Sequence, residues 1–386
     1  KALTKKYGGR TNTHQRFGTA KWHIDAIRAR LVRALQKEYD LTLDPADLPE
    51  TLDLVSARRE FYTHPTALPT VERGSIKLDL HRRDFTINTL ALRLDGSHYG
   101  QLHDYWGGLA DLNNQSVRVL HSLSFVDDPT RILRAVRFEQ RFGYQIERRT
   151  LELLENALPL LDRVSGDRLR HELDIMLQEP DWRQMFRRLN ELSVLQAIHP
   201  ALTWSTEIEN RIEKGIQAEP QPAWQIDVTQ NGYPLVLAMA YLSWWLTLSK
   251  TDAAAAAKRL KLPGWLADTL QHTITLWGNQ DTLKKESASQ VVSRFERLPD
   301  LTLLACLQLS LDADIRHIIT TYLERWKFIQ PYTTGHDLRA RNIPPGPHYA
   351  RVLKELREAW LEERLNTWSD EKELLEKLLD EHVPNH

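Results

Sequence analysis

Asp127-Asp128-Pro129-Thr130-Arg131-Ile132-Leu133-Arg134-Ala135-Val136-Arg137-Phe138 is the stretch from which the rest of the chain can be read. Asp128 offers a side-chain acceptor and Pro129 a preset φ, which predicts a helix from Pro129 to Phe142 capped by Asp128. At about 100° per residue, Arg131, Arg134, Arg137 and Arg141 fall on one stripe, with Ile132, Leu133 and Val136 opposite and facing a core. A solvated charged face is the competing reading. Four arginines without a lysine suit planar, bidentate contact with phosphates or base edges.

Arg131 follows Asp128 by one turn, so an acceptor and a donor can point the same way. Cytosine and adenine each carry an exocyclic amino donor beside a ring-nitrogen acceptor. Guanine and uracil present a carbonyl where that amino group would be. An Asp/Arg pair therefore accepts C and A, and leaves polar groups unpaired against G and U.

Working outward, everything before this helix reads as mixed helix and strand, and everything after it as helix. Strand character is expected around Phe17-Gly18, over Leu52 to Val55, over Asp84 to Leu94 and over Ser116 to Leu120. Asp25 to Glu38 has helical spacing, and Lys1 to Tyr7 reads as a helix closed by Gly8-Gly9. No strand is expected after residue 126. Tyr233 to Leu248 is an apolar run shorter than the roughly 20 residues of a membrane span, so it reads as a buried helix. Trp244, Trp245 and Cys306 are expected in the core.

The 386 residues allow two or three domains, and 41% hydrophobic with 27% charged residues is an ordinary globular composition. One cysteine excludes a disulfide framework and fits a reducing, cytoplasmic setting. A net charge of -1 requires any nucleic-acid site to be a local patch. The 15 histidines show no metal-ligand spacing.

Earlier in the chain, His81-Arg82-Arg83-Asp84-Phe85-Thr86-Ile87-Asn88 is followed by Asp104-Tyr105-Trp106-Gly107-Gly108-Leu109-Ala110-Asp111-Leu112 and then by the arginine helix. Alone, the first motif reads as a charged strand edge. The succession resembles the class II tRNA nucleotidyltransferases, which include CCA-adding, A-adding and bacterial poly(A)-polymerase-like enzymes. Arg16 to Lys21, Leu52-Asp53-Leu54 with Ala57 to Glu60, and Ser165 to Leu173 add to the likeness. So do Thr334-Gly335-His336-Asp337-Leu338 and Pro344-Pro345-Gly346-Pro347 near the end.

The resemblance implies an α+β fold: a partial nucleotidyltransferase head with a mixed sheet over 1–125, then an all-helical neck (126–195), body (196–330) and tail (331–386). It implies that Arg83 contacts the incoming nucleotide and Asp84 its ribose 2′-hydroxyl. Asp128 and Arg131 would form the template for C and A, while Arg134 and Arg137 hold the nucleotide and its triphosphate. Asp127 stands where the family usually has Glu, and Gly107-Gly108 closes a flexible stretch. The implied partners are the acceptor end of tRNA, CTP and ATP, with no membrane. Arg339, Arg341 and Arg351 are candidate tRNA contacts in the tail.

The implied cofactor is Mg2+, two ions of which assist nucleotidyl transfer. Asp53 is the one candidate carboxylate, standing at the place of the family's third acid. The family's Asp-x-Asp pair, after a Gly-Gly-x-x-Arg-Asp turn, does not occur ahead of Arg16. The expectation is therefore an N-terminally incomplete copy of an active enzyme, binding nucleotide poorly and catalysing little as it stands. CCA addition is the leading reading. An A-adding or poly(A)-adding relative, and a noncatalytic RNA-binding protein, are the alternatives.

Overall fold

A computed structural model describes residues 2–14, 18–39, 42–61, 70–227, 229–341 and 343–382. Arg16 and Phe17 lie outside the described residues. The chain packs as two compact units, Lys1–Val164 and Ser165–His386. The boundary falls inside the stretch that sequence assigns to a neck, and the arginine helix belongs to the first unit.

The first unit is built on a three-stranded antiparallel sheet of β1 (Arg10–His14), β2 (Thr19–His23) and β3 (Thr51–Val55), with β2 in the middle. Trp22 of β2 opposes Leu52, and Lys21 opposes Asp53. Trp22, Ile24 and Leu31 form a small core against Tyr7, Ile27 and Leu35, which explains why the helix Arg28–Tyr39 lies on this face. Trp22 donates its indole N–H to the Gly8 carbonyl at 3.0 Å. Gly9 has φ +82, and a Cβ there would sit 2.6 Å from the His23 carbonyl oxygen, so only glycine lets the first helix turn back onto the sheet.

The expected strand from Asp84 to Leu94 does not form. Phe85 makes an isolated bridge to Val119, Thr86–Thr89 is a 3-10 turn, and only Ala91–Leu92 pairs, with Leu102–His103. Short-range side-chain bonds take over from the ladder. Asp84 Oδ1 accepts from the Phe85 N–H and from the Asn88 amide, both at 2.9 Å, and Thr89 donates to the Thr86 carbonyl at 2.6 Å. Local acceptors of this kind compete with sheet pairing and override the strand propensity of Thr and Ile.

Strands also occur after residue 126, against expectation. Gln145–Ile146 lies parallel to Ser116–Val117, and Thr229–Gln230 forms a hairpin with Tyr233–Pro234. The hairpin turns on Asn231-Gly232, with φ of 51 and 78. Asn-Gly is the dipeptide that tolerates two such residues, so this turn is legible in the sequence.

The second unit is helical. Leu235–Trp245 buries nearly its whole circumference, including Trp244 and Trp245, and packs against Thr206–Ile216. Cys306 is buried on the helix Asp300–Leu309, and burial pushes its thiol up to about 12. Asp174 accepts from the hydroxyls of Tyr233 (2.9 Å) and Tyr241 (2.8 Å), tying the hairpin and that central helix to Gly166–Leu177. At the end of the chain, Leu338, Val352, Leu356, Leu375 and Leu378 form a separate small core. Among the described residues, no helix is long and apolar enough to cross a membrane.

Candidate functional site

The arginine helix runs Arg131–Phe142, two residues later than its sequence predicts. Asp128 is extended, and its Oδ1 accepts from the Thr130 N–H at 3.0 Å and the Thr130 hydroxyl at 2.6 Å. Its carbonyl accepts from the Arg131 N–H, and that of Pro129 from the Ile132 N–H. Asp128 therefore caps a tight turn that feeds the helix, rather than the helix itself. Gly143, at φ +65, ends it.

Ile132, Leu133 and Val136 are fully buried, as their positions predict. The arginine stripe is not the solvated face of the competing reading. Arg131 is only 6% exposed and Arg137 8%, whereas Arg141 is exposed. Arg131 donates to the Ser124 hydroxyl at 2.6 Å and to the Arg82 carbonyl at 2.9 Å. A buried guanidinium must be satisfied in this way, and the result is a donor group held in one place.

Arg134 reaches Asp84. Its Nε donates to Asp84 Oδ2 at 2.9 Å, and its Nη2 bonds the same oxygen. Burial pushes the Asp84 carboxyl up, but the charge of Arg134 and the hydrogen bonds from Asn88 and the Phe85 N–H more than reverse this, leaving it below the usual carboxylate range. Asp79, also buried, accepts from Arg82 at 2.8 Å and lies 3.6 Å from Arg83, so it anchors the two arginines that precede Asp84.

These groups enclose an open cavity of about 590 Å³ lined by Arg82, Arg83, Asp84, Asn88, Asp128, Arg131, Arg134 and Phe138. Four guanidinium groups face two carboxylates, an excess that draws an anion. Of the residues singled out from sequence, Arg83, Asp84, Asp128, Arg131 and Arg134 line the cavity. Asp127 and Arg137 do not. Asp127 lies 3.8 Å from His121, and Arg137 sits over the Phe138 ring with its guanidinium carbon 5.7 Å from the centroid.

Arg82, Asn88 and Phe138 are cavity residues that sequence reasoning did not assign. Phe138 was legible: it continues the 131, 134 stripe at the next turn and packs edge-on against Phe85. Gly108 abuts the same region, since a Cβ there would lie 2.3 Å from the Thr86 carbonyl oxygen.

Asp53 stands apart. It is exposed on the edge strand β3, with Lys21 across from it at 3.8 Å. Among the described residues, no group of three or more His, Cys, Asp or Glu side chains could hold a metal ion. A single exposed carboxylate beside an ammonium group does not fit magnesium, and no chemical step is assigned to a metal.

Residues 19–118 match the family described as Poly A polymerase head domain, and residues 143–204 the family described as Probable RNA and SrmB- binding site of polymerase A. The A-adding tRNA nucleotidyltransferase of Halalkalibacterium halodurans is 32% identical over 357 residues, covering 90% of this chain and 73% of that protein. The chain belongs to the class II tRNA nucleotidyltransferases.

Other members of that family agree. The A-adding tRNA nucleotidyltransferase of Geobacter sulfurreducens is 32% identical across 98% of this chain, which spans 41% of that relative's length. Among solved structures, an apo CCA-adding enzyme superposes with a TM-score of 0.68 at 27% identity, covering 98% of this chain and 83% of that one. The Thermotoga maritima CCA-adding enzyme complexed with tRNA gives 0.62 at 26% identity, covering 98% and 82%. Class II nucleotidyltransferases of this kind share the α+β head and helical remainder seen here.

Proposed function

We propose that this protein selects a nucleoside triphosphate carrying C or A and transfers its nucleotidyl group to the 3′ end of tRNA, releasing pyrophosphate. One observation carries the reading. Asp128, oriented by Thr130, and Arg131, fixed by Ser124, line a single arginine-rich cavity. An acceptor and a donor held this rigidly discriminate by leaving the wrong base unpaired. In this reading Arg83 and Arg134 hold the nucleotide. Asp84 fixes Arg134, and because Phe85, Asn88 and Arg134 already fill its four lone-pair sites, a ribose hydroxyl would reach it by displacing one of these donors. Arg137 supports Phe138 from outside the cavity.

A addition is the finer reading that the relatives favour, because the A-adding enzymes of Geobacter and Halalkalibacterium match nearly the whole chain. CCA addition from CTP and ATP is the second reading. The Asp/Arg pair suits both bases, and the structural likeness is to CCA-adding enzymes.

Equilibrium dialysis with each of the four nucleotides tests base selection without requiring turnover. CTP and ATP should bind at least tenfold more tightly than GTP and UTP, given about 1.4 kcal/mol or more for unpaired polar groups. Equal binding of all four would sink the proposal. Incubation with tRNA ending in CC plus ATP, and with tRNA lacking CC plus CTP, separates the two finer readings. RNA binding by the full-length protein with no incorporation would favour a noncatalytic role.

A further inference from the structure

A second cavity, of about 580 Å³, lies wholly within the C-terminal unit. Tyr332, Phe328 and Trp360 supply its aromatic walls, with Arg325, Gln330 and Asn366 among the polar groups around them. Tyr332 is 64% exposed and Phe328 49%. The Tyr332 and Trp360 rings meet edge to face, 5.6 Å between centroids.

Tyr332 and Phe328 are exposed, Trp360 is half-buried, and the backbone that carries Tyr332 is held in place. Glu371, fully buried, accepts from the Tyr332 N–H (2.9 Å), the Thr333 N–H (2.6 Å), the Thr333 hydroxyl (2.6 Å) and the Trp360 indole N–H (2.6 Å). One carboxylate with four donors thereby sets the Tyr332 backbone and the Trp360 ring together. Such a network orients its members strongly because a half-satisfied buried charge is costly. Pre-orienting an exposed aromatic lowers the entropic cost of binding something to it.

At the edge, Arg325 pairs with Glu363 at 3.0 Å, and both side chains are largely exposed. An exposed pair of this kind is weak and exchangeable. A flat aromatic face, two primary amides and a guanidinium with a replaceable partner match the parts of a nucleotide. The ring takes the base, the amides its polar edge, and the guanidinium its phosphate.

We propose that this cavity captures one unpaired nucleobase of the RNA substrate, stacked on Tyr332, with the neighbouring phosphate displacing Glu363 from Arg325. The inference rests on the reading of the protein as acting on RNA. A free mononucleotide offers the same chemistry, and the test separates the two sources.

Binding is measured by anisotropy with labelled tRNA and with a blunt RNA duplex lacking unpaired bases, and by dialysis with AMP. Tyr332→Ala should weaken tRNA binding about 5- to 100-fold. It should leave duplex binding and ATP binding in the head cavity unchanged. Glu363→Gln should tighten tRNA binding, because it removes the carboxylate that competes with phosphate. A merely structural role for Tyr332 gives no such gain, and Phe328→Ala provides a second aromatic variant if Tyr332→Ala unfolds.

Unchanged tRNA binding in both aromatic variants overturns the proposal. So does equal loss of duplex binding, or AMP binding that Tyr332→Ala abolishes while tRNA binding persists. If the unaltered protein binds no RNA, the reading of its function fails and the proposal falls with it. RNA binding that is indifferent to these substitutions overturns the proposal alone.

Discussion

Asp84 and Arg134 form the most consequential pair in the head. The carboxylate is buried and the guanidinium partly so, and neither is well placed without the other. Arg134→Ala should destabilise the first unit by about 3 kcal/mol, the low end for removing one partner of a buried pair. The loss should depend on pH. Asp84 is more acidic folded than free, so it stabilises the fold above the ordinary carboxylate range and loses that contribution as pH falls through its lowered folded value. Urea unfolding should therefore show the largest gap between parent and variant near neutrality. The gap should shrink below about pH 4; one that is constant from pH 7 to pH 3 contradicts the assignment. Ser124→Ala tests the other fixed arginine. Losing the hydroxyl that Arg131 donates to should cost about 1.5–3 kcal/mol, and in dialysis it should narrow the preference for CTP and ATP over GTP and UTP. At this scale the sequence was informative about identity but not about burial. Arg131 and Arg137 sit on a helical stripe whose spacing says nothing of the Ser124 and Arg82 groups that close over Arg131 from elsewhere in the chain.

Among elements, close approach is set by glycine. A Cβ on Gly215 would lie 1.9 Å from Ser243 Oγ, where the helices Thr206–Ile216 and Leu235–Trp245 meet. Gly215→Ala should cost about 2–3 kcal/mol, as overpacking of a rigid contact does. Adding Ser243→Ala should recover only part of this in thermal melts, because the Ser243 Cβ remains 3.1 Å away. Full recovery would mean that the hydroxyl alone sets the spacing. Elements with strong periodicity, such as Arg131–Phe142 and Leu235–Trp245, were legible because core contact and local propensity agree. The Asp84 to Leu94 segment was not, because Thr86 and Thr89 look like strand residues until their hydroxyls find Asp111 and the Thr86 carbonyl. The two-residue strands after residue 126 are too short for alternation to show.

For the molecule as a whole, two compact units predict that unfolding is not a single all-or-none step. Of the 12 tryptophans, all but Trp22 and Trp106 belong to the second unit, so indole fluorescence reports mainly on that unit while far-ultraviolet dichroism reports on both. The two probes should give non-coincident urea curves, and Arg134→Ala should shift only the dichroism component that fluorescence does not follow. Coincident curves that shift together would show that the units unfold as one.

The lone thiol offers a clock. Cys306 is sealed in the second unit with its ionisation suppressed, so in the folded protein a maleimide or disulfide reagent meets neither access nor thiolate. Labelling can then proceed only through openings of the helical unit, and its rate at saturating reagent counts them directly. A substitution confined to the head should leave that rate untouched, whereas Gly215→Ala should quicken it. One atom of sulfur thus makes the protein's internal breathing measurable by mass alone, with no residue of the chain replaced.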